Sequence, residues 1–511
     1  MPAPTPPVIG IDLGTTRSVV AHVDVYGKPY VIPNREGDFT TPSAVLFEDG
    51  SVTVGKEALK AQAAMPDNVA TFAKREMGSR EYSRKIGGQT YAPELIQSCI
   101  LGRLRKDAET KLGQTVQKAV ITVPAHFNEP KRRSTIDAAQ LAGLEVLAII
   151  NEPTAAAIAF GVQTHANLLG TQTVLVYDLG GGTFDISLVR VEGSKIEVLG
   201  TDGNAMLGGI DWDKCLVAWL DDQFAANCGF RPSESAVGQA MLMEEAQDLK
   251  HTLSSRIKTR VRIAFNGQTL QAEISREEFD EMTAHLLDRT RFTIRQLLTD
   301  RNMKWSDIDQ VILVGGSSRM PQVSEMLSRD SGLEPNLTVS ADEAIAHGAA
   351  LYAQTMITSK NAQQESSKLS ITDVTSHNLC VLGVDNTTGL KRNHVMIQRN
   401  SPIPAKQVAR FETAAENQTS VVVNVVEGGD IRGRNGTVIG RCVLRNLPPG
   451  LPAGTAVDVS FRYDPFGLVH VKAKLPKTGQ ATEIKISRAF GQSASDLDLL
   501  SDIHAALGIE D

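Results

Sequence analysis

Apolar and polar positions divide this chain into two stretches of different periodicity. From residue 8 to about residue 357, short β-branched runs alternate with segments of helical length. Val8-Ile9-Gly10-Ile11, Val174-Leu175-Val176-Tyr177 and Val311-Ile312-Leu313-Val314 read as buried strands, as does Val120-Ile121-Thr122-Val123, stopped by Pro124. Residues 131–141 (ended near Gly143), 244–253, 276–298 and 342–356 read as helices. Such alternation predicts α/β layers. Residues 358–368 are rich in Ser, Gln and Lys with hardly any apolar side chains, the composition of a linker. From 371 to 486 the period falls to two. Segments 420–426, 457–462 and 469–473 are separated by Gly, Pro and Asn, and 446–454 holds three prolines and two glycines, which predicts a compact β-sandwich. At 493–507 apolar residues return to helical spacing behind an acidic start, with Ser495 and Asp498 resembling a loose N-cap box, so one short helix is expected. The division is then a leader at 1–7, an α/β unit at 8–357, a linker at 358–373, a sandwich at 374–490 and a helical tail at 491–511.

Two of the buried strands run into the same chemistry. Val8 to Ile11 continues as Asp12-Leu13-Gly14-Thr15-Thr16, and Val174 to Tyr177 as Asp178-Leu179-Gly180-Gly181-Gly182-Thr183-Phe184-Asp185. Each is a strand, an acid, a glycine turn and a threonine. The glycines let backbone N–H groups approach a phosphate, the hydroxyl adds a hydrogen bond, and the acid can hold Mg2+ directly or through water. A single Asp-x-Gly is more often a strand-end acid capping a turn, by roughly three to one. The duplicate reverses those odds and implies two half-domains closing on one nucleotide.

Composition narrows the classes further. The 511 residues fit about three domains. The formal net charge of −7 leaves no basic excess to bind a phosphate backbone, which excludes nucleic acid as the main partner. Five scattered cysteines without a C-x-x-C pair argue against a disulfide framework or a zinc site and read as buried free thiols. No run of ~18 apolar residues is present to span a membrane. The Pro-rich first seven residues lack the regions of a secretory signal, so a cytoplasmic protein is expected.

The two glycine motifs, together with Ile121-Thr122-Val123-Pro124-Ala125, Ile150-Asn151-Glu152-Pro153-Thr154-Ala155-Ala156-Ala157 and the segment 311–319, resemble in order and spacing the 70-kDa heat-shock protein (DnaK-type) chaperones over nearly the whole chain. The resemblance implies an actin-like ATPase domain, a duplicated ribonuclease H-like α/β fold, followed by a β-sandwich that grips extended peptides and a short C-terminal helix. It implies ATP/ADP and Mg2+ as cofactors, with K+ a further candidate. Asp12 and Asp178 match the Mg2+-side acids. Gly14, Thr15, Thr16, Gly180, Gly181, Gly182 and Thr183 match the phosphate contacts. Lys74 matches a lysine beside the attacking water, although read alone it is a surface lysine. Glu152 and Asp185 match acids that orient water or the metal shell, and Glu152 would equally suit a helix N-terminus. Gly315, Gly316, Ser317, Arg319 and Asp342 match the adenosine turn. Lys250 and Ser254 match a helix that reaches the ribose, and His251 falls where a side chain packs on adenine or sits on an exposed helix face. Phe411, Ala414 and Val421 match the peptide pocket; Phe411 and Val421 fit a sandwich core as well. Implied partners are unfolded or extended polypeptides, a J-domain co-chaperone and a nucleotide exchange factor, with neither nucleic acid nor membrane.

The chain also departs from that pattern. No C-terminal helical lid is matched, which implies faster peptide escape. The interdomain linker reads Leu369-Ser370-Ile371-Thr372-Asp373, with less apolar area than the family's leucine-rich run, so weaker docking is expected. Ala148 stands where a J-domain-contacting arginine is usual, Gln247 replaces a glutamate, His126 replaces an aromatic beside Pro124 and Arg132, and residues 78–91 form a shortened edge. The leading expectation is an ATP-dependent chaperone. The alternatives are a partner-binding regulatory module with a slow or uncoupled ATPase and, at roughly one chance in twenty, a sugar kinase or filament protein on the same core.

Overall fold

The computed structural model describes residues 6–164, 170–337, 340–361, 369–385, 388–464, 467–476, 479, 481–485 and 492–509. Two mixed sheets of like topology dominate the first unit. In one, the order is Pro29–Val31, Arg17–Val23, Val8–Asp12, Lys118–Val123, Glu145–Asn151. In the other, Gln310–Val314, Gln172–Leu179, Phe184–Glu192 and Lys195–Asn204 follow one another. In both, the motif-bearing strand has an antiparallel neighbour on one side and a parallel one on the other. The duplication seen in the glycine motifs is therefore a duplication of sheets, here called the first and second lobe.

The lobes meet on two helices, Glu152–Thr164 and Ala344–Asn361, whose alanines join residues of both sheets in one core. Small residues are required because the backbones nearly touch. A Cβ on Gly348 would overlap the carbonyl oxygen of Ala155, and one on Gly10 would overlap the backbone of Ala350. Helix limits follow their caps. Asn128 accepts from the Lys131 N–H, so the helix predicted at 131 runs Glu129–Leu141. Ser235 starts Ala236–Ser255 well before 244, and Ser275 with Glu278 forms the capping box of Arg276–Asp300.

Two four-stranded sheets pack face to face as the sandwich: Lys391–Ile397, Leu379–Val384, Ser420–Gly428, Gly436–Arg445 against Ala405–Glu412, Ala456–Tyr463, Val469–Lys474, Ala481–Lys485. Its beginning differs from the expectation at 371. Ser370–Val374 pairs in parallel with Lys195–Asn204 and so extends the second lobe's sheet, and Pro402–Ile403 of the sandwich pairs with it in turn. The linker is thus docked, where weak docking was expected. Leu369 and Ile371 pack partly buried on the shared core, and strand pairing supplements their small apolar area. The preceding helix continues to Asn361, beyond the expected limit at 357. Residues 362–368 of the linker, 1–5 of the leader and 486–491 at the end of the sandwich lie outside the described residues. The tail helix is Ala494–Ala506, capped by Ser493 with Asp496 and not by Ser495 with Asp498. Cys99, Cys380 and Cys442 are buried thiols, whereas Cys215 and Cys228 are only half-buried. No helix among the described residues is long and apolar enough to cross a membrane.

Overpacking at the helix crossing should cost stability. Gly348→Ala is expected to destabilise the protein by about 1–3 kcal/mol in denaturant unfolding, although alanine is the better helix former.

Candidate functional site

The two glycine turns face each other across the seam between the lobes. In the second turn the Gly180 N–H donates to the Thr183 carbonyl at 3.0 Å; in the first, Ser43 Oγ donates to the Gly14 carbonyl at 2.9 Å. A Cβ on Gly181 or Gly182 would overlap Thr16 or Thr15. Behind this contact opens a cavity of about 450 Å³, within the range of small-ligand sites. Asp12, Gly14, Thr15 and Thr16 line it from the first lobe with Lys74 and Glu152. From the second lobe come Asp178, Gly180, Gly181, Thr183, Lys250, Ser254, Gly315, Gly316, Ser317, Arg319 and Asp342. His251 also lines it. Two expected members do not. Gly182 is turned against Thr15, and Asp185 lies behind the wall, where its Oδ1 accepts from the His126 N–H at 2.9 Å. Gln247 lines a neighbouring cavity of about 310 Å³, shared with His251.

Lys74 is no surface lysine. It is 3% exposed, and its Nζ lies 2.5 Å from Glu152 Oε1. The 3-10 turn Ala73–Glu76 that carries it follows Phe72 at φ 62, a left-handed conformation costly for an aromatic residue. Glu152 opens its helix, as its helix N-terminal reading expected, and lines the cleft. Around this single ammonium stand four carboxylates: Asp12, Glu152, Asp178 and Asp185. Burial, then the charge of Glu152, pushes Asp12 and Asp185 up to about 7. Asp178 is driven well above the ordinary range by burial, Glu152, Asp185 and Asp12. Excess buried negative charge calls for a cation. Asp178 Oδ2 and Asp185 Oδ2 are buried without hydrogen-bond partners, which fits a metal ion nearby. No group of three or more ligating side chains gathers among the described residues.

Arg75 escaped the sequence reading. Nearly buried, it crosses the seam: Nε donates to the Gly182 carbonyl at 2.9 Å, and Nη2 meets Asp211 Oδ2 at 2.6 Å. Only its adjacency to Lys74 could have drawn attention to it.

The cleft connects to the sandwich through short polar contacts. Asn151, next to Glu152, donates to Asp373 of the linker strand at 3.0 Å, and Thr154 donates at 3.1 Å. Arg132 is buried and donates to Asn151 Oδ1 at 2.6 Å. Ser376 Oγ donates to the Ala125 carbonyl, and His126 lies against His377 with ring centroids 4.2 Å apart. The Glu129 N–H donates to Glu427 at 2.8 Å, and Arg399 pairs with Asp202 and Asp300 of the second lobe. Ala148 is buried in the shared core and offers no side chain to a partner. In the sandwich, Phe411 and Val421 are half-buried against the core, while Ala414 is exposed between them. Phe411 meets His394 edge-on at 5.4 Å.

A family model described as Hsp70 protein matches residues 8–87 and 81–507. The sequence is 39% identical over 511 residues to the chaperone protein DnaK from each of two strains of Halobacterium salinarum, covering 99% of this chain and 78% of each relative.

The raised acids fix a pH dependence. Asp12 and Asp185 keep their protons in the nucleotide-free fold up to about pH 7, whereas the unfolded chain has lost them by about pH 5. The native state therefore binds more protons in that window, and stability falls as pH rises from about 4 to 7. Asp178→Asn replaces a buried acid whose ionisation is disfavoured with an amide that cannot ionise. It should raise the melting temperature of the nucleotide-free protein at pH 7.5 by ~2 °C or more, while weakening Mg2+–ATP binding in calorimetry.

Proposed function

The chain belongs to the Hsp70 family, and we propose that its cleft binds ATP between two actin-like lobes and that hydrolysis there governs the grip of the β-sandwich on polypeptide. It is an ATP-dependent molecular chaperone and an ATPase, with unfolded polypeptide as client. The observation that carries this reading is the convergence of both glycine turns, Lys74 and the buried acids on one cavity. The close backbone turns at Gly14, Gly180 and Gly181, with the hydroxyls of Thr15, Thr16 and Thr183, cradle the phosphates. Asp12 and Asp178 would hold Mg2+, which when bound neutralises charge developing on the phosphates. Glu152, tied to Lys74, orients the attacking water, and the Lys74 ammonium stabilises the negative charge of the transition state. Asp185, behind the wall with its Oδ2 unpartnered, adds negative charge that would help orient the metal shell. Gly315, Gly316, Ser317, Arg319 and Asp342 receive the nucleoside, Lys250 and Ser254 face the ribose, and exposed His251, which lines the cavity, stacks on the adenine.

Coupling to the sandwich rests on position along the chain. Glu152 senses the site, and its neighbour Asn151 holds Asp373. A change in how the lobes grip the γ-phosphate therefore alters the seat of the linker strand, and with it the sandwich, by differential contacts in two states. In the sandwich, Phe411 on the edge strand Ala405–Glu412, with Ala414 and Val421, would supply a side-chain pocket for an extended apolar segment that gains backbone hydrogen bonds. The docked linker favours this reading over an uncoupled binding module. J-domain proteins remain candidate partners through surfaces other than Ala148.

Two experiments test it. Lys74→Ala should lower single-turnover hydrolysis by ~100-fold or more while leaving ATP bound; hydrolysis at the parent rate would remove Lys74 from the mechanism. For release of a fluorescent apolar peptide, ATP–Mg2+ should act faster than ADP in the parent protein. Asp373→Ala should abolish that difference with hydrolysis retained, and release indifferent to nucleotide in the parent protein would favour the uncoupled module.

A further inference from the structure

We propose that the first lobe carries a second peptide-binding site, separate from the sandwich, whose occupant is the chain's own segment 492–509. After the tail helix, Gly508–Ile509 adds a parallel strand to Ser51–Val54, with Gly508 opposite Ser51 and Ile509 opposite Val52. Ser51–Val54 is otherwise the open edge of a small three-stranded sheet. Open edges are templates for an added strand, and here the template is filled in cis.

The neighbouring helix, Pro93–Leu112, is shaped for this occupant. Gly102 lies in its middle, where glycine weakens a helix and no turn requires it. A Cβ on Gly102 would stand 2.7 Å from Ile509 Cδ1, so the missing side chain forms the notch that admits the isoleucine. One turn later, Lys106 Nζ donates to the Ile509 carbonyl at 2.9 Å. One turn earlier, Ser98 Oγ bonds His504 Nδ1 at 2.9 Å. Leu500 is buried beside Leu95. Strand pairing, an apolar notch and two polar contacts on one helix face make a site that reads an extended apolar segment preceded by an amphipathic helix. Since the segment follows the sandwich in sequence, its seat on the first lobe tethers the sandwich to that lobe and restrains its departure.

The test uses a fluorescent peptide of residues 492–511 and the chain truncated after residue 491. The peptide is expected to bind the truncated chain with one-to-one stoichiometry and to bind the intact chain at least tenfold more weakly, because the site is already filled. Ile509→Asp in the peptide, or Gly102→Leu in the truncated chain, should each weaken binding at least tenfold. Absence of binding, or binding indifferent to both changes, overturns the proposal. So does binding abolished by Val421→Asp alone, which would put the peptide in the sandwich. In the intact chain, Ile509→Asp should speed amide exchange of 508–509 and of 51–54 at least tenfold, and unchanged exchange there overturns it as well.

Discussion

Four carboxylates and one ammonium buried in a single seam set the conditions for everything around them. Asp12 and Asp178 sit at the ends of equivalent strands in two sheets, Glu152 at the start of a central helix and Asp185 one strand beyond. To bring these groups together, the sheets must approach more closely than ordinary side chains allow. The crossing helices are therefore lined with Ala155, Ala156, Ala349 and Ala350 and touch at Gly348. The same closeness desolvates the acids and pushes their pKa values up. A cation and a phosphate chain among these acids would relieve that electrostatic cost.

Contacts lead from the cleft to the sandwich through neighbouring residues of the chain. Asn151 and Glu152 are consecutive, one on the linker and one on Lys74. His126 gives its N–H to Asp185 and its ring to His377. The linker strand is part of the second lobe's sheet. A shift of either lobe therefore changes hydrogen bonds at the interface, and the packed interface has discrete ways to answer.

Much of this was legible in the residues, and the limits of legibility have physical causes. The strand-acid-glycine-threonine motifs are local, so their strands, turns and acids could be read directly from spacing. The strand and glycine turn at 311–316 and the helix bearing Lys250 were readable for the same reason, whereas their match to a nucleoside site came only with the family resemblance. What the sequence concealed was tertiary. Nothing local distinguishes buried Lys74 from a surface lysine, or shows that Arg75 spans the seam. The fate of Ser370–Val374 depends on an edge strand far earlier in the chain, with Lys195 opposite Ser370, so composition alone read Leu369 to Asp373 as a weakly docking linker. Helix starts slipped where Asn128 or Ser235 capped earlier than the apolar stripe begins, and Gly102 makes sense only once Ile509 is seen against it.

Under the proposed coupling, occupancy of the seam by ATP controls the seat of the linker strand. Amide hydrogen exchange of residues 370–374, measured on the intact protein with ATP–Mg2+ and with ADP, reads that seat directly. The account predicts exchange at least tenfold slower with ATP–Mg2+ than with ADP. Equal protection in the two nucleotides, with binding of both verified, would contradict it.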